Sequence, residues 1–251
     1  PDHTQGFPFF GPNFIDFNRS NGENVKYTLN LMGVKTLKMH VGRVLEQNMI
    51  PPTYPIEYKD LKSNRVHHVL EDGDTFYIND DGNPSKEKSD KAVFKIKVMV
   101  AYARSHPQQG AMYYRITEIS TDKSVACIWD CESIIGGDQR VIAFSKGCDC
   151  MIHDTQYTTE EYNSSKIIVQ GYGHSTYEMA IENASLTGCK SVIFTHYNPK
   201  HCDNLLDGLE EKYRDEIKNI ECIFAKEGVT YAFDNLGVLR PNRPDRIIYK
   251  K

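Results

Sequence analysis

The stretch from Cys148 to Phe233 alternates short apolar runs with segments of helical periodicity, and this alternation limits the architecture more than any other feature of the chain. Cys148 to His153 and Ser191 to Thr195 read as buried strands, each too short for a helix and bounded by turn or cap residues. Between them Ser175 to Thr187 reads as a helix, with Ser175 and Glu178 spaced as a capping box and Gly188 placed to end it. A second helix begins near Asp203 and puts Leu205, Leu206, Leu209, Tyr213 and Ile217 on one face. Strands follow at Ile220 to Phe224 and Val229 to Phe233. Such a succession needs a sheet with helices packed on it, which argues against a bundle and against an all-β sandwich.

The first half is strand-rich. Val25 to Leu31 reads as a strand and Thr36 to Asn48 as a helix stopped by Pro51 and Pro52. Val66 to Ile78 and Val93 to Ile119 suit several strands, broken at Ser105-His106-Pro107, and Asp80 to Asp90 is a solvated turn. Asp138 to Lys146 suits a helix. The expectation is an α/β (α+β layered) fold with mixed sheets, read as one domain over residues 1–251.

No apolar run, Val98 to Ala101 included, is long enough to cross a bilayer. With 34 acidic against 30 basic side chains the formal charge is -4, so no broad nucleic-acid-binding surface is expected and the partner should be small. Seven cysteines without a framework spacing argue for reduced thiols and a cytoplasmic setting.

The chemistry-bearing residues gather at strand ends: Asp2-His3, His106, Asp154 and His196 each stand at or just beyond one. Polar groups can converge there above a sheet without being buried in it. Imidazoles and carboxylates converging in this way are a ligand set for zinc, or for manganese or iron where oxygen ligands take a larger share. Each taken alone is a weak signal, since a lone His at a strand end is more often a hydrogen-bonded residue near the surface.

In order along the chain, Pro1-Asp2-His3-Thr4-Gln5-Gly6, Ser105-His106-Pro107, Ile152-His153-Asp154-Thr155-Gln156, Gly173-His174-Ser175-Thr176 and Thr195-His196-Tyr197-Asn198-Pro199 resemble motifs of the metallo-β-lactamase superfamily, in its phosphodiesterase and ribonuclease Z-like branch. The resemblance implies an αββα four-layer sandwich and a metal-dependent hydrolase. Pro1-Asp2-His3 is similar to the tail of a His-x-His-x-Asp-His signature, so two ligand histidines and the opening strands are expected upstream of Pro1. The implied ligands of two divalent metal ions, zinc first and manganese or iron as alternatives, are Asp2, His3, His106, Asp154 and His196, with Asp154 as the bridge. Asp2 and His174 are the implied catalytic residues, Asp2 orienting the attacking hydroxide and His174 donating to a phosphate oxygen or the leaving alkoxide. In this scheme two cations ~3.5 to 4 Å apart lower the pKa of a bridging water and neutralise the phosphoryl oxygens.

The implied substrate is a small phosphodiester or nucleotide, and the implied assembly a homodimer. Thioester or lactone hydrolysis on the same fold, and a non-catalytic metal-binding module, are the rival readings, with the Gly173-His174-Ser175-Thr176 segment favouring the phosphodiesterase branch. Among the other histidines, His153 should face away from Asp154 because neighbours on a strand point to opposite faces. His40, His67 and His68 have no expected catalytic role, and His201 stands near enough to His196 to touch substrate. Cys127, Cys131, Cys148 and Cys150 lack the spacing of a zinc knuckle.

Overall fold

The computed structural model describes residues 4–18, 22–34, 40–101, 106, 110–234 and 239–242. The chain forms two compact units, Pro1–Asp74 and Thr75–Lys251.

In the first unit, β1 (Asp16–Asn18) and β2 (Asn24–Lys26) form a hairpin, while β3 (Thr28–Val34), α1 (Val41–Asn48) and β4 (Asn64–Leu70) form a parallel crossover. The helix runs from Val41 after the extended cap His40, and residues 36–39 of its expected span lie outside the described residues. Glycine lets α1 lie close to its strands: a Cβ at Gly33 would stand 2.9 Å from Val41 Cβ, and one at Gly42 2.5 Å from the His67 ring. His67 is engaged by Tyr58 Oη at 2.8 Å and His68 by Asn30 Oδ1 at 2.9 Å.

The second unit is built on an eight-stranded mixed sheet. Its elements are β5 (Thr75–Asn79), β6 (Pro84–Ser85), β7 (Ala92–Ala101), β8 (Ala111–Glu118), β9 (Ser124–Ile128), α2 (Gln139–Ser145), β10 (Cys150–Asp154), α3 (Thr159–Tyr162), α4 (Tyr177–Thr187), β11 (Ser191–Thr195), α5 (Asp203–Glu216), β12 (Glu221–Phe224), β13 (Thr230–Phe233) and β14 (Leu239–Asn242). The strand order is β12-β11-β10-β9-β8-β7-β5-β6, parallel from β12 to β9 and antiparallel beyond. The segment expected to be only a solvated turn carries β6, paired with β5.

Alternation along the parallel strands decides what covers each face. Met151 on β10, with Val192 and Phe194 on β11, joins Tyr177, Ala180 and Ala184 of α4 and Tyr213 of α5 in the main core. Its centre is aromatic: Tyr177 stacks on Phe224 at 5.5 Å, and Phe194 meets both edge-on at 5.3 and 5.0 Å. On the other face Cys150 and Ile193 pack with Leu239 of β14 and with Tyr231 and Phe233 of β13. Helix ends follow local chemistry. Asp138 caps α2 by accepting from Arg140 and Val141, and Gly188 closes α4 at φ 78°.

The cap of α4 is Thr176, whose side chain accepts from Met179 N, and not Ser175. Ser175 is fully buried and its hydroxyl is used elsewhere, accepting from Ser133 N and donating to Cys131 O. The capping box lies instead on α3, between Thr158 and Glu161. All seven cysteines are free, and burial pushes the Cys127 and Cys150 thiols up to about 12. Among the described residues, no helix is long and apolar enough to cross a membrane.

Candidate metal centre

Strands β9, β10 and β11 are neighbours and parallel, so their carboxyl ends open on the same edge. Asp130 lies two residues past β9, Asp154 ends β10, and His196 follows β11 directly. His174 comes from the loop before α4. Each of these four side chains offers a ligand atom, and the four atoms lie within 4.8 Å of one another. His196 Nε2 is 3.1 Å from Asp130 Oδ1, and His196 Nδ1 is 3.5 Å from Asp154 Oδ2. The His174 and His196 rings stack at 4.7 Å, and His106 stands edge-on to His174 at 5.9 Å.

Backbone strain concentrates here. Asp130 (φ 49°) and His196 (φ 62°) are two of the three non-glycine residues with positive φ among the described residues. That conformation costs of order 1–3 kcal/mol per residue, which surrounding structure must hold in place. Around His196 the hold comes from Tyr197, whose hydroxyl donates to Phe194 O and Ala225 O.

The two aspartates are engaged differently. Asp154 is fully buried: Oδ1 accepts from the backbone N–H of Gln156 and of Ser175, both at 3.2 Å, and Oδ2 accepts from His174 Nδ1 at 2.7 Å. Asp130 keeps partial solvent access, with a side chain 13% exposed against 0% for Asp154. Burial works against charging His174, but the hydrogen bond and charge of Asp154, helped by Asp130 and Glu132, outweigh it and raise the imidazole pKa above its ordinary value.

A donor set of two carboxylates and two imidazoles in this space fits a divalent metal ion. Of the residues expected from the sequence, Asp154, His174 and His196 meet in the cluster and His106 lies beside it, whereas Asp2 and His3 lie outside the described residues. Asp130 was missed. The signal available was its place just past the apolar run Ser124 to Ile128, the same strand-end position that pointed to Asp154.

His153 points to the helix side, where Nδ1 donates to Asp154 O at 2.7 Å and Nε2 accepts from Asn183 Nδ2 at 3.0 Å. His201 Nε2 is taken by both carboxylate oxygens of Glu161 at 3.0 Å.

Three solved structures are similar to this chain. The metallo-β-lactamase fold protein YhfI from Bacillus subtilis is similar over 86% of this chain and 66% of its own, with TM-score 0.48 and 14% identity. Unliganded yeast PDE1 is similar over 83% of this chain and 60% of its own, with TM-score 0.50 and 14% identity. The chain shares its fold with PDE1. The short form of human tRNase Z is similar over 87% of this chain and 69% of its own, with TM-score 0.49 and 14% identity. In sequence the chain is 28% identical over 99 residues to a ribonuclease Z from Acaryochloris marina (strain MBIC 11017), a match covering 39% of this chain and 29% of that protein. No protein-family model matches the chain.

Proposed function

We propose that this chain is a metal-dependent hydrolase that cleaves a small phosphodiester or nucleotide-type substrate. The observation that carries the reading is the pairing of a metal-competent cluster with a carboxylate-held imidazole, His174 on Asp154. The names of the similar proteins, ribonuclease Z and tRNase Z, support a phosphodiester bond as the target.

Asp130, His196 and His106 are the residues of the described chain that would hold the metal, with Asp2 and His3 added by the resemblance of the opening motif. We assign the metal-holding role to Asp130 in preference to Asp154. The Asp154 oxygens already accept from two backbone amides and one imidazole, which suits a carboxylate that orients histidines. Zinc is the first candidate for this mixed nitrogen and oxygen set, and manganese or iron the alternatives. When bound, the ions lower the pKa of water and neutralise phosphoryl oxygens.

The remaining work falls to the protein. Asp154 fixes the tautomer of His174 by accepting from Nδ1, so Nε2 is the atom that gives a proton to the departing oxygen. The hydrogen bond and charge of Asp154 raise the imidazole pKa, which favours the protonated form. With a net charge of -4, the local cation charge takes the place of a broad basic surface in attracting the substrate.

The test uses the natural full-length protein, stripped of metal and reloaded with zinc or manganese, acting on bis-p-nitrophenyl phosphate. Turnover that requires metal and is lost in Asp130→Ala supports the assignment. Metal-independent turnover, or none with either ion, refutes it.

A further inference from the structure

The segment Cys131-Glu132-Ser133 begins one residue after Asp130 and touches both chain neighbours of His174. Glu132 Oε1 accepts from Gly171 N at 2.7 Å and from Tyr162 Oη at 2.7 Å, while Oε2 accepts from Gly173 N at 2.9 Å. On the far side of His174, the buried Ser175 hydroxyl accepts from Ser133 N at 3.0 Å and donates to Cys131 O.

We infer that Glu132 is a positioning residue, which sets the place of His174 by binding the backbone of the loop that carries it. The inference rests on the role proposed for His174. Three features support it. Gly171 (φ 86°) and Gly173 (φ 96°) adopt a backbone that other residues rarely take, and that backbone delivers their two amides to the two oxygens of a single carboxylate. The concavity is thereby filled by the protein's own anion, so it is not a phosphate site. Asp154 binds the His174 side chain but does not fix the backbone before it. Finally, Glu132 lies two residues after Asp130, so the proposed metal ligand and the proposed acid are referred to the same short piece of chain.

Glu132→Gln keeps the shape of the side chain but supplies one acceptor oxygen in place of two, so at least one loop amide faces an N–H. Loss of a hydrogen bond to a charged group should raise hydrogen exchange at Gly171 and Gly173 by roughly ten-fold or more. Metal content should equal that of the wild type. The kcat on a dinucleotide with an unactivated leaving group should fall at least about ten-fold with KM within about two-fold, while bis-p-nitrophenyl phosphate, whose leaving group needs little acid help, is spared. Tyr162→Phe removes only the phenol and should leave both loop amides protected.

The inference is overturned if the two amides exchange as in the wild type. It is also overturned if they exchange faster while the kcat on the dinucleotide is unchanged. Should the wild-type protein cleave no phosphodiester at all, the proposed function fails separately. The NMR signal of the His174 Nδ1 proton then decides: a shift in Glu132→Gln supports positioning, and an unshifted signal overturns it.

Discussion

Replacing Asp154 by Asn separates the two roles an aspartate can take at this centre. The amide has one oxygen, and the lowest-cost placement keeps it where Oδ1 accepts from the Gln156 and Ser175 amides. Its NH2 group then faces His174 Nδ1, which now donates to Oδ2 at 2.7 Å. Two donors cannot share that position, so His174 must give up its Nδ1 proton or move. The lost interaction is a hydrogen bond to a charged group, worth about 1.5–3 kcal/mol. If it supports the proton that His174 donates, the rate on a substrate with an unactivated leaving group falls roughly ten- to hundred-fold. Metal binding should survive, because Asp130, His196 and His106 are untouched. The assay pairs kcat on a dinucleotide with metal per chain, measured by mass spectrometry after gel filtration, for Asp154→Asn and Asp130→Asn. Asp154→Asn should retain metal and lose turnover, whereas Asp130→Asn should lose both. If Asp154→Asn sheds metal as completely as Asp130→Asn, the orienting role is wrong and Asp154 would itself hold the metal.

The structure makes further expectations. Asn183→Leu strands the buried Nε2 of His153, the hydroxyl of Ser133 and the amide of Asp138, and with about 1–3 kcal/mol for each unsatisfied group it should lower the urea midpoint by more than a surface change does. Phe194→Ala, at the centre of the aromatic core, should cost about 3–5 kcal/mol in the same measurement. Glu178 accepts from Tyr213 and Thr159; partial desolvation opposes its charge, but these hydrogen bonds prevail and hold its pKa below the ordinary 4.5. The unfolded chain therefore binds more protons, so the stabilisation is present above the unfolded pKa and is lost as pH falls through the folded one. Thermal unfolding of Glu178→Gln should accordingly depend less on pH in the acid range than that of the wild type. A divalent metal at about 100 times its dissociation constant should raise stability by about 2.7 kcal/mol, an increment expected to vanish in Asp130→Ala.

The parts of this fold legible in the sequence are those governed by local rules. Ser191 to Thr195 is a strand over its expected span because the four apolar or β-branched residues Val192 to Thr195 suit a buried parallel strand. Gly188 ends α4 because it alone among its neighbours takes φ 78° without strain. The strand-end rule found Asp154 and His196 and, applied one strand earlier, would have found Asp130. The errors arise where a side chain chooses between a local and a distant partner. Ser175 has the residue type and spacing of a cap, yet its hydroxyl goes to the Cys131–Ser133 segment over forty residues away in sequence, and Thr176 takes the cap.

The same competition decides what the carboxylates do. In sequence, Asp130 and Asp154 are equivalent: each stands at a strand end and each can offer two oxygens. Their difference comes from the donors the fold places around them. Two backbone amides and an imidazole converge on Asp154 because α4 begins beside the end of β10, so its charge is spent within the protein. Asp130 emerges at the end of β9 on a left-handed residue, partly open and facing His196. What each aspartate does under the proposed assignment therefore depends less on residue type than on contacts between elements far apart in sequence.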